Sequence, residues 1–286
     1  MNVELLKHIL SIPSYFGEEQ EIRAFLKEHL ESNSFECAID QKGNLYAIKG
    51  KPKEGQYYPC FVAHMDTVHH RVPVDIVEYE DYNTNRELKP ALKAVSKKTG
   101  HRYGLGADDK AGVFEALEVA KCFDFFKLIF FVEEEFGCKG SENVDVSFFE
   151  DVSYVVQFDG PEQMVTQVCM DQVLFESASD FGSGVVESLN EVLIEKHSYY
   201  VHPYTDVWKI KAKTDLCCVN LPAGYYRMHS KEEYVILEDI ENSIKLGKKL
   251  VEKLGFDTRH NFEASESKEL SRKLPRGWHS SKNPIC

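Results

Sequence analysis

The chain has little that would send it to a membrane or to nucleic acid. None of its apolar runs reaches the length of a membrane span, and residues 1–10 lack the basic flank and continuous apolar core of a secretory signal. Basic residues are in deficit: 34 Lys and Arg stand against 47 Asp and Glu, a formal charge of −13, whereas phosphate binding needs a basic face. No membrane and no nucleic-acid partner is therefore expected. Paired cysteine spacings are missing as well. The eight cysteines are scattered, only Cys217 and Cys218 are adjacent, and no zinc-knuckle spacing occurs, which implies free thiols in a reduced, cytoplasmic protein. No internal repeat and no Gly/Ser-rich or Pro-rich linker divides the 286 residues, and 43% hydrophobic content is enough for one large core.

What is present alternates between two periodicities. Residues 3–30 carry apolar positions at helical spacing, broken at Pro13 and Ser14, so two helices are expected there. Short apolar runs at 45–48, 58–63, 128–132, 154–158 and 216–221 read as strands, several buried on both faces, with further strands within 165–176. Helical periodicity returns at 112–123, 179–196 and 237–254. Strands alternating with helices predict an α/β fold with a mainly parallel sheet covered on both sides. The polar stretch 69–102 reads as an insertion with hairpin strands at 74–79 and 92–95, of the kind that overhangs a site. Residues 1–257 are expected to form one catalytic domain. Residues 258–286 turn polar and read as a peripheral or partly disordered tail on which Leu270, Leu274 and Trp278 could dock.

Several strand and turn ends carry chemistry. His64 and Asp66 follow the 58–63 strand at its carboxyl end, where open α/β sheets place their sites, and an Asp there can fix the tautomer of a ligating His. A purely structural hydrogen-bonded pair would look the same. Asp108 and Asp109 sit in a Gly-bounded turn opening a helix, although a helix cap needs only one Asp. Glu133, Glu134 and Glu135 leave the 128–132 strand together, and adjacent carboxylates repel unless a cation or proton lies among them. Asp159 ends the 154–158 run, and His229 precedes the last long helix. Singly, each has an ordinary structural reading. In combination, His, Asp, Glu-Glu, Asp and His at separate strand and turn ends make metal ligation with proton transfer the better account.

The series HMDTV (64–68), LGADDKAG (105–112), EEFGCKGS (134–141), FDG (158–160) and GYYRMHSKEEY (224–234) resembles the co-catalytic zinc exopeptidases, and among them the peptidase T-like enzymes. The resemblance runs in order through roughly residues 1–255. It implies a three-layer α/β/α sandwich around a mixed, mainly parallel sheet, and two Zn2+ ions, for which Mn2+ or Co2+ could stand in. One ion would be held by His64, Asp108 and Asp159, the other by Asp108, Glu135 and His229, with Asp108 bridging. Asp66 would orient His64, Glu134 would be the general base, and the Asp108–Asp109 peptide would be cis. Peptidase T-like enzymes also carry a lid domain of roughly a hundred residues after the fourth motif. Only about seventy residues separate Asp159 from His229 here, which leaves no room for it.

The implied activity is cleavage of a terminal amide of short peptides, aminopeptidase- or tripeptidase-like. The same site could serve an amidohydrolase on acyl-amino acids or a carboxypeptidase, and a non-catalytic, metal-bound binding module is the reading from another class. Oligomeric state does not follow from the motifs. Asp206, in a Thr-Asp pair, either supports the site or caps a helix. His69, His70, His197, His202 and His260 lack a partner at a recognisable spacing and are expected on surfaces or loops; Lys97-Lys98 and Lys248-Lys249 read as solvated faces.

Overall fold

Strands whose two faces are both apolar must be covered on both sides, and they occupy the middle of the main sheet. In the computed structural model, which describes residues 1–170, 172–192, 198–202 and 204–262, that sheet has nine strands. Their order is β1 (Phe35–Ile39), β2 (Leu45–Lys49), β7 (Phe126–Phe131), β3 (Tyr58–His64), β8 (Val152–Gly160), β12 (Cys218–Pro222), β9 (Met164–Cys169) and β10 (Gln172–Val173), with β11 (Ser198–His202) also paired to β9. β7, β3, β8 and β12 are mutually parallel, and every residue in them is buried. Antiparallel pairs flank this centre, β1 and β2 on one side and β9 and β10 on the other. The sheet is thus mixed, with its continuous parallel run in the four central strands.

Helices cover it. α1 (Val3–Ser11) begins at Asn2, whose side chain accepts the Leu5 N–H, and packs on α3 (Ala107–Ala120); α2 (Gln20–Ser32) packs on β1. α3, α5 (Asp180–Val192) and α7 (Leu237–Leu254) form one layer, while α4 (Lys139–Glu142) and α6 (Asp206–Lys213) pack together elsewhere on the sheet. Gly247 of α7 is needed for this closeness: a Cβ there would lie 2.7 Å from Phe158, 2.9 Å from Val119 and 3.1 Å from Phe61. α3 is buried along its whole length, which explains its weak amphipathic pattern in the sequence.

The insertion forms the expected hairpin, β4 (Val74–Tyr82) with β5 (Leu88–Ser96), but it does not simply overhang. The outer edge of β5 pairs with β6 (Arg102–Tyr103) and with β14 (Tyr234–Ile236), which in turn pairs with β13 (Tyr225–Tyr226). This second, five-stranded sheet fastens the insertion to the chain on either side of His229. β1, β13 and β14 were not expected: β1 buries only Phe35 of its five residues, and β13 and β14 have two and three residues, too few to show a period. Residues 258–262 are bound to the main sheet: the Ser153 hydroxyl donates to the Thr258 carbonyl (2.5 Å), His260 N–H to Ser153 (2.9 Å) and Cys217 N–H to His260 (2.8 Å). Residues 263–286, including Leu270, Leu274 and Trp278, lie outside the described residues, as do 193–197 at the end of the expected 179–196 helix.

Candidate metal centre

Parallel strands deliver their carboxyl ends to one side of a sheet, and here three of them deliver side chains to one point. His64 is the last residue of β3, Asp159 lies at the end of β8, and β7 leads into Glu134 and Glu135. Asp108 arrives from a turn in which Gly106 takes a left-handed conformation (φ 64°), and the Asp108–Asp109 peptide is cis. His229 arrives from the second sheet, also with positive φ (58°).

His64 Nε2 lies 3.2 Å from Asp108 Oδ1, 3.6 Å from Asp159 Oδ1 and 3.8 Å from Glu134 Oε2. His229 Nε2 lies 3.2 Å from Asp108 Oδ2 and 2.9 Å from Glu135 Oε1. Potential ligand atoms of His64, Asp108 and Asp159 fall within 4.8 Å of one another, as do those of Asp108, Glu135 and His229. Asp108 thus faces both sets with different oxygens. His64, Glu134 and Glu135 form a third set meeting the same distance.

Neighbours hold these groups still. Asp66 spends its two oxygens on the N–H groups of Glu134 and Glu135 (2.9 Å each), while its backbone carbonyl lies 3.0 Å and its carboxylate 3.4 Å from His64 Nδ1. It therefore contacts the imidazole and fixes the Glu134–Glu135 backbone together. The carboxylate of Asp159 accepts from Tyr225 OH (3.2 Å), Thr205 Oγ1 (3.1 Å) and Gln157 Nε2 (3.3 Å). Thr205 makes no side-chain helix cap; its hydroxyl oxygen also lies 2.6 Å from Gln157 Oε1, so its one proton is shared between the two acceptors, and buried Asp206 opens α6 beside them. Glu133 has left-handed backbone (φ 51°) and pairs with Lys42 (2.6 Å). Of the three consecutive glutamates, Glu134, buried with the Cys138 thiol against its Oε1, and Glu135 face the centre.

The electrostatics fit bound cations. Four carboxylates, Asp108, Glu134, Glu135 and Asp159, face two imidazoles, and among the described residues no lysine or arginine forms an ion pair with them. Burial holds Glu134 well above the usual carboxylate range, and burial with the nearby Asp108 charge pushes Glu135 up to about 7. Burial pulls His64 down, but hydrogen bonds to Asp108, Asp159 and Asp66 outweigh it and hold the imidazole well above its ordinary value; Asp108 and Glu135 raise His229 to about 11. Raised proton affinities of this kind mark buried negative charge that calls for compensation, which divalent cations would supply. The donors are imidazole nitrogens and carboxylate oxygens, three per set, which suits zinc and leaves room for other first-row divalent ions.

One supporting group escaped the sequence. Glu233 is fully buried and accepts hydrogen bonds from Gly106 N–H (2.6 Å) and Asp108 N–H (3.0 Å), with His69 Nε2 at 2.9 Å. His69 is therefore a partly buried, paired residue rather than a free loop histidine. Its partner lies 164 residues away, so no spacing in the sequence could reveal it. His260 likewise sits between Tyr154 and Phe181, with ring centroids 5.8 Å from each.

No protein-family model matches the chain. The architecture is nevertheless shared with solved aminopeptidases. The aminopeptidase PepT of Bacillus cereus superposes with a TM-score of 0.73 at 15% identity, covering 88% of this chain and 97% of that one. An aminopeptidase of the archaeon Desulfurococcus kamchatkensis gives 0.61 at 18%, covering 87% and 94%. In sequence, the chain is 28% identical over 218 residues to peptidase T of Staphylococcus carnosus, 65% of this chain and 48% of that protein. It is 37% identical over 75 residues to a [LysW]-lysine hydrolase of Deinococcus radiodurans, 26% of this chain and 20% of that protein. The chain thus matches less than half the length of each of these curated relatives. The fold is that of these solved aminopeptidases. In sequence the chain is similar to peptidase T.

Proposed function

We propose that the protein is a two-metal hydrolase that cleaves a terminal amide bond of short peptides, as an aminopeptidase or tripeptidase. The observation that carries this reading is a pair of three-donor sets sharing Asp108, with a further buried carboxylate, Glu134, beside them. His64, Asp108 and Asp159 would hold one ion, and Asp108, Glu135 and His229 the other, zinc in both cases. When bound, two such ions supply Lewis acidity and make a water acidic enough to lose a proton near neutral pH.

The chain's own residues supply the rest. Glu134 takes the proton of the attacking water and returns it to the leaving amine, a task suited to a carboxylate whose burial has raised its proton affinity. Asp66 holds the backbone of Glu134 and Glu135, and contacts His64 Nδ1, so that base and ligands keep their mutual positions. Gln157, Thr205 and Tyr225 fix the carboxylate of Asp159.

A second reading, an amidohydrolase on acyl-amino acids or a carboxypeptidase, is raised by the relatives described as [LysW]-lysine hydrolases. The same attack on an amide would serve it. The test is metal content and turnover of the protein beside Glu134→Gln, on dipeptides, tripeptides and acyl-amino acids. We expect two metals per chain in both proteins, and turnover reduced about 10²- to 10⁴-fold in the variant. Two metals without turnover of any amide would leave a binding module, and absence of metal would refute the reading.

A further inference from the structure

A single exposed hydrophobic side chain is ordinary, but one next in the chain to a reactive centre and stacked on a second ring makes an apolar surface a ligand can use. Phe136 follows Glu135 directly and is 61% exposed. It lies at the tip of a tight turn in which the carbonyl of Glu134 accepts from both Gly137 N–H (2.9 Å) and Cys138 N–H (2.7 Å). Its ring stacks on Phe16, with centroids 5.6 Å apart and planes within 14°. Phe16 in turn packs on Tyr15, and Tyr15 on His70.

This aromatic shelf is built from distant segments and tied in place. The loop carrying Tyr15 and Phe16 is bonded to the exit of β3, Phe16 N–H to the Thr67 carbonyl (3.3 Å) and Thr67 N–H to the Ser14 carbonyl (2.8 Å). Glu19, only 3% exposed, then joins the two loops: one of its oxygens accepts Gly17 N–H (2.8 Å) and Glu133 N–H (3.3 Å). Burying a carboxylate is unfavourable unless its hydrogen bonds are made. Here it fixes the Phe16 loop against the Glu133–Gly137 turn. Phe136 is thereby held exposed, stacked on a partly buried Phe16, on a turn whose first residues include Glu134 and Glu135.

We propose that Phe16 and Phe136 form an apolar subsite that receives the side chain of a substrate residue flanking the scissile amide. The preferred substrates are then peptides with a large aliphatic or aromatic residue at that position, and those with Gly, Asp or Lys there are poor. The proposal rests on the hydrolase reading above. Phe136 directly follows Glu135, so the side chain of a residue next to an amide engaged at Glu134 and Glu135 is the occupant proposed for it, and a second copy of this chain is the competing occupant.

The experiment compares the metal-loaded protein with Phe136→Ala, Phe16→Ala and Phe136→Leu, measuring kcat/KM on aminoacyl anilides and dipeptides bearing Leu, Phe, Ala, Gly or Asp. Because Phe136 is largely exposed, its variants are expected to fold. We expect kcat/KM for Leu and Phe substrates to fall about ten-fold or more in each Ala variant while Gly substrates change less than about two-fold, with Phe136→Leu intermediate. A uniform loss across substrates, or a change of oligomeric state in sedimentation with preference unaltered, overturns the proposal. If the loaded wild type cleaves nothing, the hydrolase reading has failed separately, and calorimetry of phenylalaninamide against glycinamide reads the shelf directly. Tighter phenylalaninamide binding that Phe136→Ala abolishes supports the subsite; equal binding of the two amides rules it out.

Discussion

Replacing Glu233 by Ala tests whether this buried carboxylate is what keeps Asp108 in place. Its oxygens accept two backbone N–H groups, those of Gly106 and Asp108, and lie against His69. All of this happens at a residue with no solvent exposure, so water cannot replace the lost acceptor without a structural change. Each buried N–H left without a partner costs about 1–3 kcal/mol, and two of them give about 2–6 kcal/mol. Against a total stability of about 5–15 kcal/mol, that is a large fraction. Urea unfolding with a chelator present isolates this effect from metal binding, and the midpoint should drop with little change in slope. Metal competition then reads the functional part, where loss of an outer support typically weakens binding about 10–100-fold. Glu233→Gln keeps one acceptor oxygen and should fall between wild type and Ala. A loss below about 0.5 kcal/mol, the ordinary scatter of surface substitutions, together with unchanged metal affinity, would refute the reasoning.

Three further outcomes are expected. Glu115 of α3 is fully buried and neither carboxyl oxygen has a partner among the described residues; burial and the nearby Asp239 hold its pKa well above 4.5. Its folded state retains the proton longer than the unfolded state, so its cost appears as pH rises above 4.5. Glu115→Met should stabilise the protein by about 1–3 kcal/mol at neutral pH and flatten that dependence, as read by denaturant midpoints across pH. Gly247→Ala should destabilise by about 1–3 kcal/mol in thermal or urea unfolding, since its Cβ would strike Phe158, Val119 and Phe61. Metal removal should leave a protein whose stability falls with rising pH. Glu135 titrates near 7 in the fold against 4.5 when unfolded, so its cost grows between those values, and His229, raised to about 11 from 6.5, loses its contribution across that higher span. An unfolding midpoint of the chelated protein that is flat between pH 5 and about 9 would contradict this.

Much of the fold was legible because each element announces itself within a short window. The five apolar runs read as strands are β2, β3, β7, β8 and β12, and the 237–254 periodicity is α7. The parallel centre followed from runs apolar on both faces, while the antiparallel flanks did not, since pairing direction depends on which strand becomes a neighbour. The hairpin of the insertion was readable from its alternation. Its attachment to β14 was not, because β14 has three residues and gains its partner only through packing.

The same division holds at the site. Sequence by itself determined the ligand types, their order and their position at strand and turn ends, because an apolar run that stops at a carboxylate or imidazole marks the place where a buried strand meets the surface. Only the tertiary structure decided which groups meet. It put Asp108 between His64 and His229, turned Glu133 away to Lys42, and bound His69 to Glu233 and the Phe16 loop to Glu133. Those partners stand many tens of residues apart in the chain, and the packing of strands, helices and loops from separate parts of the sequence, rather than any local preference of the backbone, brings them together.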